Sequence, residues 1–430
     1  MKTIELKKSM GLRGEITPPP DKSISHRAIM FAAMAEGKSR VTNFLRAEDP
    51  LSTMNAFRAL GINVTETGSG EVLIEGKGLR GFTEPDDVID CGNSGTTIRL
   101  ITGLLAGCPF FTVLTGDDSL KQRPMARVID PLKKMGAVIA ARGGDRYPPI
   151  AIKGGGLKAL DYKMPIASAQ VKSCLILAGL YAEGTTRIIE PQRSRDHSER
   201  MLSAMGADIR VDGLIISVNG NPRLTAADIE VPADFSSAAF FIAGALLVPN
   251  SEIFIKGVGM NPTRTGLIGV ISEMGAEIKL ENRREVSGEQ VADVICSSSG
   301  KLKAIRIDGG LVPSLIDEFP IICVLASMAE GVTRIRGAAE LRVKESDRIS
   351  AMAAELTKLG VSVLEYPDGI DITGGAGFDG GVVESHGDHR IAMALSIAAL
   401  VANNPVRISD ALCVDISFPR FYEMLKELEA

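Results

Sequence analysis

The chain has 430 residues, of which 45% are hydrophobic and only 4% aromatic, with no Trp. That length suits two or three domains, and cores of that composition must be packed from Ala, Leu, Ile, Val and Met. The net charge of −5 argues against a general nucleic-acid binder, while local basic clusters can still hold a small anion.

Thr3 to Leu6 and Leu12 to Ile16 read as short strands ahead of Pro18-Pro19-Pro20. One pattern then recurs. An apolar helix opens on small or polar residues, a short strand follows, a second helix ends in Leu-Gly or Met-Gly, and strands come after. The first helices open near Ser23, Asn93, Ser168, Ser236 and Asp317, and the second helices end at Leu60-Gly61, Met135-Gly136, Met205-Gly206, Met274-Gly275 and Leu359-Gly360. A sixth opening at Gly387 (GDHRIAMALSIAALVANN) leads only to a last helix, FPRFYEMLKELEA. A period of about seventy residues means repeated supersecondary units. Residues 1–20 are expected to complete the sixth unit. Residues 21–232 then form one domain of three repeats, and residues 1–20 plus 233–430 the other. The two crossings, near Pro20-Asp21 and Pro232-Ala233, suit a hinge, and clefts between domains are preferred ligand sites.

The cysteines (Cys91, Cys108, Cys174, Cys296, Cys323, Cys413) are scattered with no Cys-x-x-Cys. They read as buried thiols in a reducing cytoplasm, with neither a disulfide framework nor a zinc site. The N-terminus is charged and has no apolar signal segment, and the longest apolar helices run to about 14 residues, too short to span a bilayer. A cytoplasmic monomer with no membrane or nucleic-acid partner is expected.

Helix N-termini expose free N–H groups and partial positive charge, which makes them anion sites. Several openings add functional groups: Lys22-Ser23 with Arg27, Asn93-Ser94-Gly95-Thr96, and Ser168-Ala169-Gln170. The plain alternative is ordinary N-capping, and for Ser236-Ser237, with no basic residue beside them, that is the preferred reading. Basic segments fall at corresponding places in the repeats: Arg123 before Pro124 (a helix N1 position), Arg193 and Arg195, Lys344 and Arg348, and Arg390 after Asp388-His389. Arginine forks match phosphate and carboxylate geometry. Lys344 and Arg348 would otherwise be a salt-bridged helix face with Glu345 and Asp347. His386, Asp388 and His389 have metal-ligand chemistry but no third cluster to join them, so no metal is expected.

The segments PPPDKSISHRA, DCGNSGTTIRL, RPM from Arg123, SAQVKS, RVKESDR and GDHRIAMA resemble, in order and spacing, the enolpyruvylshikimate-phosphate synthases (3-phosphoshikimate 1-carboxyvinyltransferases). The resemblance spans the whole chain. It implies a two-domain inside-out α/β fold with six repeats, three per domain, helices inside and strands outside. It also implies transfer of the enolpyruvyl group of phosphoenolpyruvate to the 5-hydroxyl of shikimate 3-phosphate, without metal or organic cofactor. Carried over, Lys22, Gly95, Arg123, Gln170, Arg348 and Arg390 resemble the phosphoenolpyruvate site. Lys22, Ser23, Arg27, Ser168, Gln170, Arg195, Asp317 and Lys344 resemble contacts to shikimate 3-phosphate. Asp317 resembles the group that accepts the hydroxyl proton. Glu345 and Lys22 resemble the proton-transfer pair at the enol methylene, and the sequence leaves open which of the two delivers the proton.

Two positions depart from many members. Ala169 stands where a second Ser is common, and Ile416 where a Lys is common. Both departures resemble the branch known as class II, often tolerant of glyphosate. The sister enzyme that acts on UDP-N-acetylglucosamine shares the fold but usually carries Lys-Asn at 22–23 and a cysteine in the stretch matching 121–125, neither present here. A silent phosphometabolite-binding protein would not need Asp317 and Glu345 among the arginines. The charges divide, with Lys22, Arg27 and Arg123 on one domain and Lys344, Arg348 and Arg390 on the other. Anions are therefore expected to close the two domains. Small-angle scattering should show compaction on adding shikimate 3-phosphate, and an unchanged radius at saturation would refute closure.

Overall fold

The computed structural model describes residues 3–68 and 70–429. Each repeat builds a buried first helix, an amphipathic second helix and a small sheet. Beyond their polar openings the first helices are apolar on every side, so they can lie only in a core. Lys22–Met34 is buried continuously from Ile24 to Met34. Gly95–Ala106, Ala169–Gly179, Phe235–Leu247, Phe319–Met328 and His389–Ala399 are enclosed in the same way. The second helices bury one stripe. Ala126–Lys134 buries Val128, Ile129, Pro131 and Leu132 and leaves Lys133 and Lys134 in solvent.

The Leu-Gly and Met-Gly signals mark true helix ends. Gly61, Gly136, Gly206, Gly275 and Gly360 all have positive φ, between 81° and 104°. This left-handed conformation closes a helix and is costly for any residue with a β-carbon.

Among the described residues six sheets flank the helices of their own unit, and five share one plan. A short strand from the end of one repeat runs parallel to the first strand of the next, which pairs antiparallel with the outgoing arm of a hairpin. Ile89–Asp90 pairs with Phe111–Thr115, and Asp161–Lys163 with Thr185–Ile189. Ile229–Glu230 returns to pair with Glu36–Thr42, closing repeats one to three into a ring. In repeats four to six the linking strands are Arg306–Ile307 and Gly381–Glu384. The N-terminal residues supply what the sixth repeat lacks. Ile4–Leu6 pairs antiparallel with Val406–Ser409, and Arg13–Ile16 runs parallel to Glu252–Gly259 of the fourth repeat. The sixth sheet accordingly has three strands where the others have four.

Two compact units result. One holds Pro20–Val231 with Val286–Glu289, and the other holds Met1–Pro19, Pro232–Glu285 and Gln290–Ala430. Each has its own apolar core, the second strengthened by mutually packed Phe241, Phe418 and Phe421. Among the described residues no helix is long and apolar enough to cross a membrane.

All six thiols are free, and five are buried. Burial pushes Cys108 and Cys296 up to about 12 and the half-buried Cys413 up to about 11, so thiolate is scarce at neutral pH. The folded protein is therefore expected to resist alkylation by iodoacetamide at pH 8, and denaturant should expose all six thiols. Rapid labelling of Cys108 or Cys296 in the native state would contradict this.

Candidate active-site residues of the two units

In the unit of residues 20–231, three helix N-termini are tied together by side chains. Asp21 accepts a bond from the Ile24 N–H at 2.8 Å, which caps the first helix. Lys22 then sits 3.2 Å from Asp49, an acid in the first turn of Glu48–Ala59. Arg27 donates through Nε to Ser198 Oγ at 2.8 Å, through Nη2 to Ser173 Oγ at 2.9 Å, and through Nη1 to the Ser23 carbonyl at 3.0 Å. The first helix is thereby joined to the third-repeat helices.

A buried relay joins it to the second repeat. His26 Nδ1 and Thr53 Oγ1 share a bond of 2.6 Å, Thr53 and Thr97 share another of 2.6 Å, and Thr97 donates to Ser94 Oγ at 2.7 Å. Ser94 in turn caps Gly95–Ala106. Burial, with Lys22 and Arg27 nearby, holds the His26 pKa well below the ordinary histidine value, so the ring is neutral at pH 7.

Gly95 lies close beside two guanidiniums. A β-carbon there would lie 3.2 Å from Arg123 Nη1 and 3.3 Å from Arg99 Nη1. Arg123 donates to Asn93 Oδ1 at 2.6 Å and to Ser119 Oγ at 3.3 Å. Arg99 donates to Gln170 Oε1 and to the Pro124 carbonyl, and Gln170 donates to Thr96 Oγ1 at 3.1 Å. Gly95, Arg123 and Gln170 thus form one group around Arg99. Ser168 caps the third-repeat helix at Val171, and Ser168, Ala169, Gln170 and Arg195 are half-buried.

In the other unit the centre is Arg348, 1% exposed. Its Nε donates to Asp388 Oδ2 at 2.8 Å, Nη2 to Glu345 Oε2 at 2.7 Å and Nη1 to Asp317 Oδ1 at 3.3 Å. Arg390 lies 3.4 Å from Asp317 Oδ2, and its own N–H donates to the Asp388 cap at 2.9 Å. Burial works against the Arg348 charge, but Asp388, Glu345 and Asp317 outweigh it, so the net shift is upward and the guanidinium is permanent. Lys344 pairs with Glu340 at 3.5 Å. Desolvation holds its pKa below the usual lysine value, against the opposite pull of Glu340 and Asp317.

Several sequence expectations need correction. Pro124 is not at helix N1, because the helix starts at Ala126 after a Met125 N-cap. The alternative reading of Lys344 and Arg348 as one salt-bridged helix face does not hold. Lys344 is extended, ahead of the helix Arg348–Lys358; Arg348 donates to Glu345, and Lys344 pairs with Glu340. Ser236 does have a basic partner: Arg264 Nη2 donates to Asp234 Oδ1 and Ser236 Oγ, each at 2.7 Å, and Ser236 donates to Glu318. Arg264 comes from the loop between strand and second helix, the place that carries Arg123 and Lys344 in other repeats, and here the Asp234 carboxylate of its own unit engages it. His386 and Asp388 take separate partners. His386 Nε2 meets Glu355 at 2.8 Å while Asp388 holds Arg348. Among the described residues no group of three or more His, Cys, Asp or Glu is arranged to hold a metal ion.

Sequence reasoning missed Asp49, Asn93, Arg99, Asp388 and the Ser173–Ser198 pair as groups that hold the candidate side chains. Asn93, Arg99 and Asp388 lay inside the motif segments. Asp49 lay in no motif, and only its tertiary pairing with Lys22 reveals it.

Two units of three α/β repeats, helices inside, with basic side chains at helix openings, have the fold of the enolpyruvyl transferases. The transferase NikO from Streptomyces tendae shares it, with a TM-score of 0.80 and 17% identity over 99% of this chain and 96% of that one. The chain belongs to the EPSP synthase (3-phosphoshikimate 1-carboxyvinyltransferase) family, whose model matches residues 6–425. A relative named 3-phosphoshikimate 1-carboxyvinyltransferase from Thermodesulfovibrio yellowstonii is 56% identical over 425 residues, covering 99% of both chains. The solved EPSP synthase from Acinetobacter baumannii has a TM-score of 0.88 and 45% identity, covering 99% of this chain and 98% of that one.

Proposed function

We propose that this chain is a 3-phosphoshikimate 1-carboxyvinyltransferase of the shikimate pathway, which leads to chorismate and the aromatic amino acids. It transfers the enolpyruvyl group of phosphoenolpyruvate to the 5-hydroxyl of shikimate 3-phosphate and releases phosphate. The observation that carries the residue assignments is the Arg348 centre, where one buried guanidinium holds two carboxylates suited to proton transfer, Asp317 and Glu345, beside a second cation, Arg390.

The chemistry follows from charge. Two polyanions must be held side by side, so cations must offset their repulsion. In this reading Lys22, Arg123, Arg348 and Arg390 hold phosphoenolpyruvate, and Gly95 and Gln170 are further contacts. Ser23, Arg27, Ser168, Gln170, Arg195 and Lys344 hold shikimate 3-phosphate. The Asp317 carboxylate takes the 5-hydroxyl proton as the oxygen attacks the enol carbon. Glu345 and Lys22 serve the methylene, which is protonated on addition and loses a proton when phosphate leaves. Arg348 fits this work because it orients both carboxylates.

The direct test is phosphate release from phosphoenolpyruvate, with shikimate 3-phosphate or UDP-N-acetylglucosamine as acceptor. Release is expected with shikimate 3-phosphate alone, and release only with the nucleotide sugar would refute the reading. Glyphosate, an anionic phosphonate, is expected to compete with phosphoenolpyruvate but to bind less tightly than where a lysine stands at 416. One charge-assisted contact is worth about 1.5–3 kcal/mol, or roughly tenfold to a hundredfold. Ile416→Lys should tighten inhibition by about tenfold or more. If activity survives and inhibition is unchanged, the lysine account fails and Ala169 becomes the position to test.

A further inference from the structure

In the unit of residues 20–231, next to the serines that hold Arg27, lies a buried charge cluster without an assigned role. Lys172 is 1% exposed and is surrounded by Glu190 at 3% and Glu199 at 5%. Its ammonium lies 2.7 Å from Glu199 Oε1 and donates to Glu190 Oε2 at 3.0 Å and to the Ser194 carbonyl at 3.2 Å. Glu190 also accepts the Ser194 hydroxyl, so the turn from 190 to 194 is closed on both sides.

The cluster touches the neighbours of two candidate acceptor residues. Ser194 immediately precedes Arg195. Ser198, which precedes Glu199, accepts from Arg27 Nε at 2.8 Å. Ser173, which follows Lys172, accepts from Arg27 Nη2 at 2.9 Å and shares a 2.7 Å bond with Ser198. One ammonium therefore links three chain segments: the Ala169–Gly179 helix, the turn bearing Arg195, and the His197–Ala204 helix bearing Ser198. Of the phosphoenolpyruvate candidates in this unit, Lys22 meets Asp49 and Arg123 meets Asn93, outside the cluster, while Gln170 shares the cluster's helix but bonds to Arg99 and Thr96 of the second repeat.

Burying three charges is a poor route to stability, because desolvation offsets most of the attraction and an apolar replacement is often as stable. What such a cluster supplies is direction, since an ammonium whose three N–H donors each face an oxygen admits little movement of the segments it joins. We propose that Lys172, with Glu190 and Glu199, is a positioning cluster that sets Arg27 and Arg195 for the phosphate-bearing acceptor and has no part in holding phosphoenolpyruvate.

The inference rests on the proposed activity, and wild-type turnover with shikimate 3-phosphate tests that activity separately. The variants are Lys172→Met, and the neutral triple Lys172→Met with Glu190→Gln and Glu199→Met, which leaves no buried charge uncompensated. Steady-state kinetics with each substrate varied, together with thermal unfolding, read both. The expected result is an acceptor KM raised about tenfold or more, a phosphoenolpyruvate KM and a saturating turnover close to wild type, and a triple variant about as stable as wild type. Lys172→Arg, which keeps the charge, should recover part of the acceptor KM. An unchanged acceptor KM in a folded variant, or equal rises in both KM values, would overturn the proposal. Loss of folding in both Lys172→Met and the triple variant would also overturn it, because the cluster would then serve stability. Absence of wild-type turnover would instead refute the activity itself.

Discussion

Asp317→Ala is expected to lower turnover by about 10²–10⁴-fold, the range that a positioned general base contributes. The acceptor KM should change far less. The carboxylate lies 3.3 Å from Arg348 and 3.4 Å from Arg390, so its removal leaves the two guanidiniums to face each other. Those cations remain available to phosphoenolpyruvate, whose KM should not rise. Asp317→Asn sharpens the test, because it preserves shape and one of the two accepting oxygens but not basicity. Both variants should be slow in a single turnover with both substrates saturating, which separates chemistry from binding. Glu345→Ala should show the same pattern, and Arg27→Ala the opposite one, with a raised acceptor KM and turnover largely kept. Near-normal turnover in Asp317→Ala would remove it from the role of base.

Arg348→Met should have the largest combined effect on stability and binding. Its side chain is almost wholly buried and engages three carboxylates, among them the fully buried Asp388. Removing one partner of a buried ion pair costs about 3–5 kcal/mol, because the charge left behind has no solvent. At about 2–4 °C per kcal/mol for a unit of this size, the midpoint should fall by roughly 6–20 °C. Phosphoenolpyruvate should bind at least about tenfold more weakly for loss of one charge-assisted contact. The double variant Arg348→Met/Asp388→Asn separates the effects, since it removes the stranded charge but does not restore the guanidinium. Thermal stability should partly return while the phosphoenolpyruvate KM stays high. Recovery of both would mean that Arg348 acts only through the fold.

The repeat was legible because its signals are local. A helix apolar on all sides announces a core helix, and a glycine after Leu or Met announces a left-handed helix end. Both needed only a dozen neighbouring residues to be recognised. The basic residues at helix openings stood out for the same reason, since repetition placed them at corresponding points. Ser236 shows where this reasoning stops. Its immediate sequence contains no cation, yet Arg264, 28 residues on, reaches it. Pro124 shows a second limit, since a proline near a helix start does not specify which residue begins the helix.

The sequence by itself determined six units with buried first helices and a supply of cations and carboxylates at their openings, because periodicity and capping are short-range properties of the chain. The tertiary structure alone decided which charge meets which. Lys22 pairs with Asp49 across 27 positions, Arg348 with Asp388 across 40, and Arg27 with Ser198 across 171. A buried charge must find a counter-charge or hydrogen-bond partner, but many residues along the chain can satisfy it equally well. Only the packing of distant repeats selects one, and that selection places Asp317 and Glu345 on the same guanidinium.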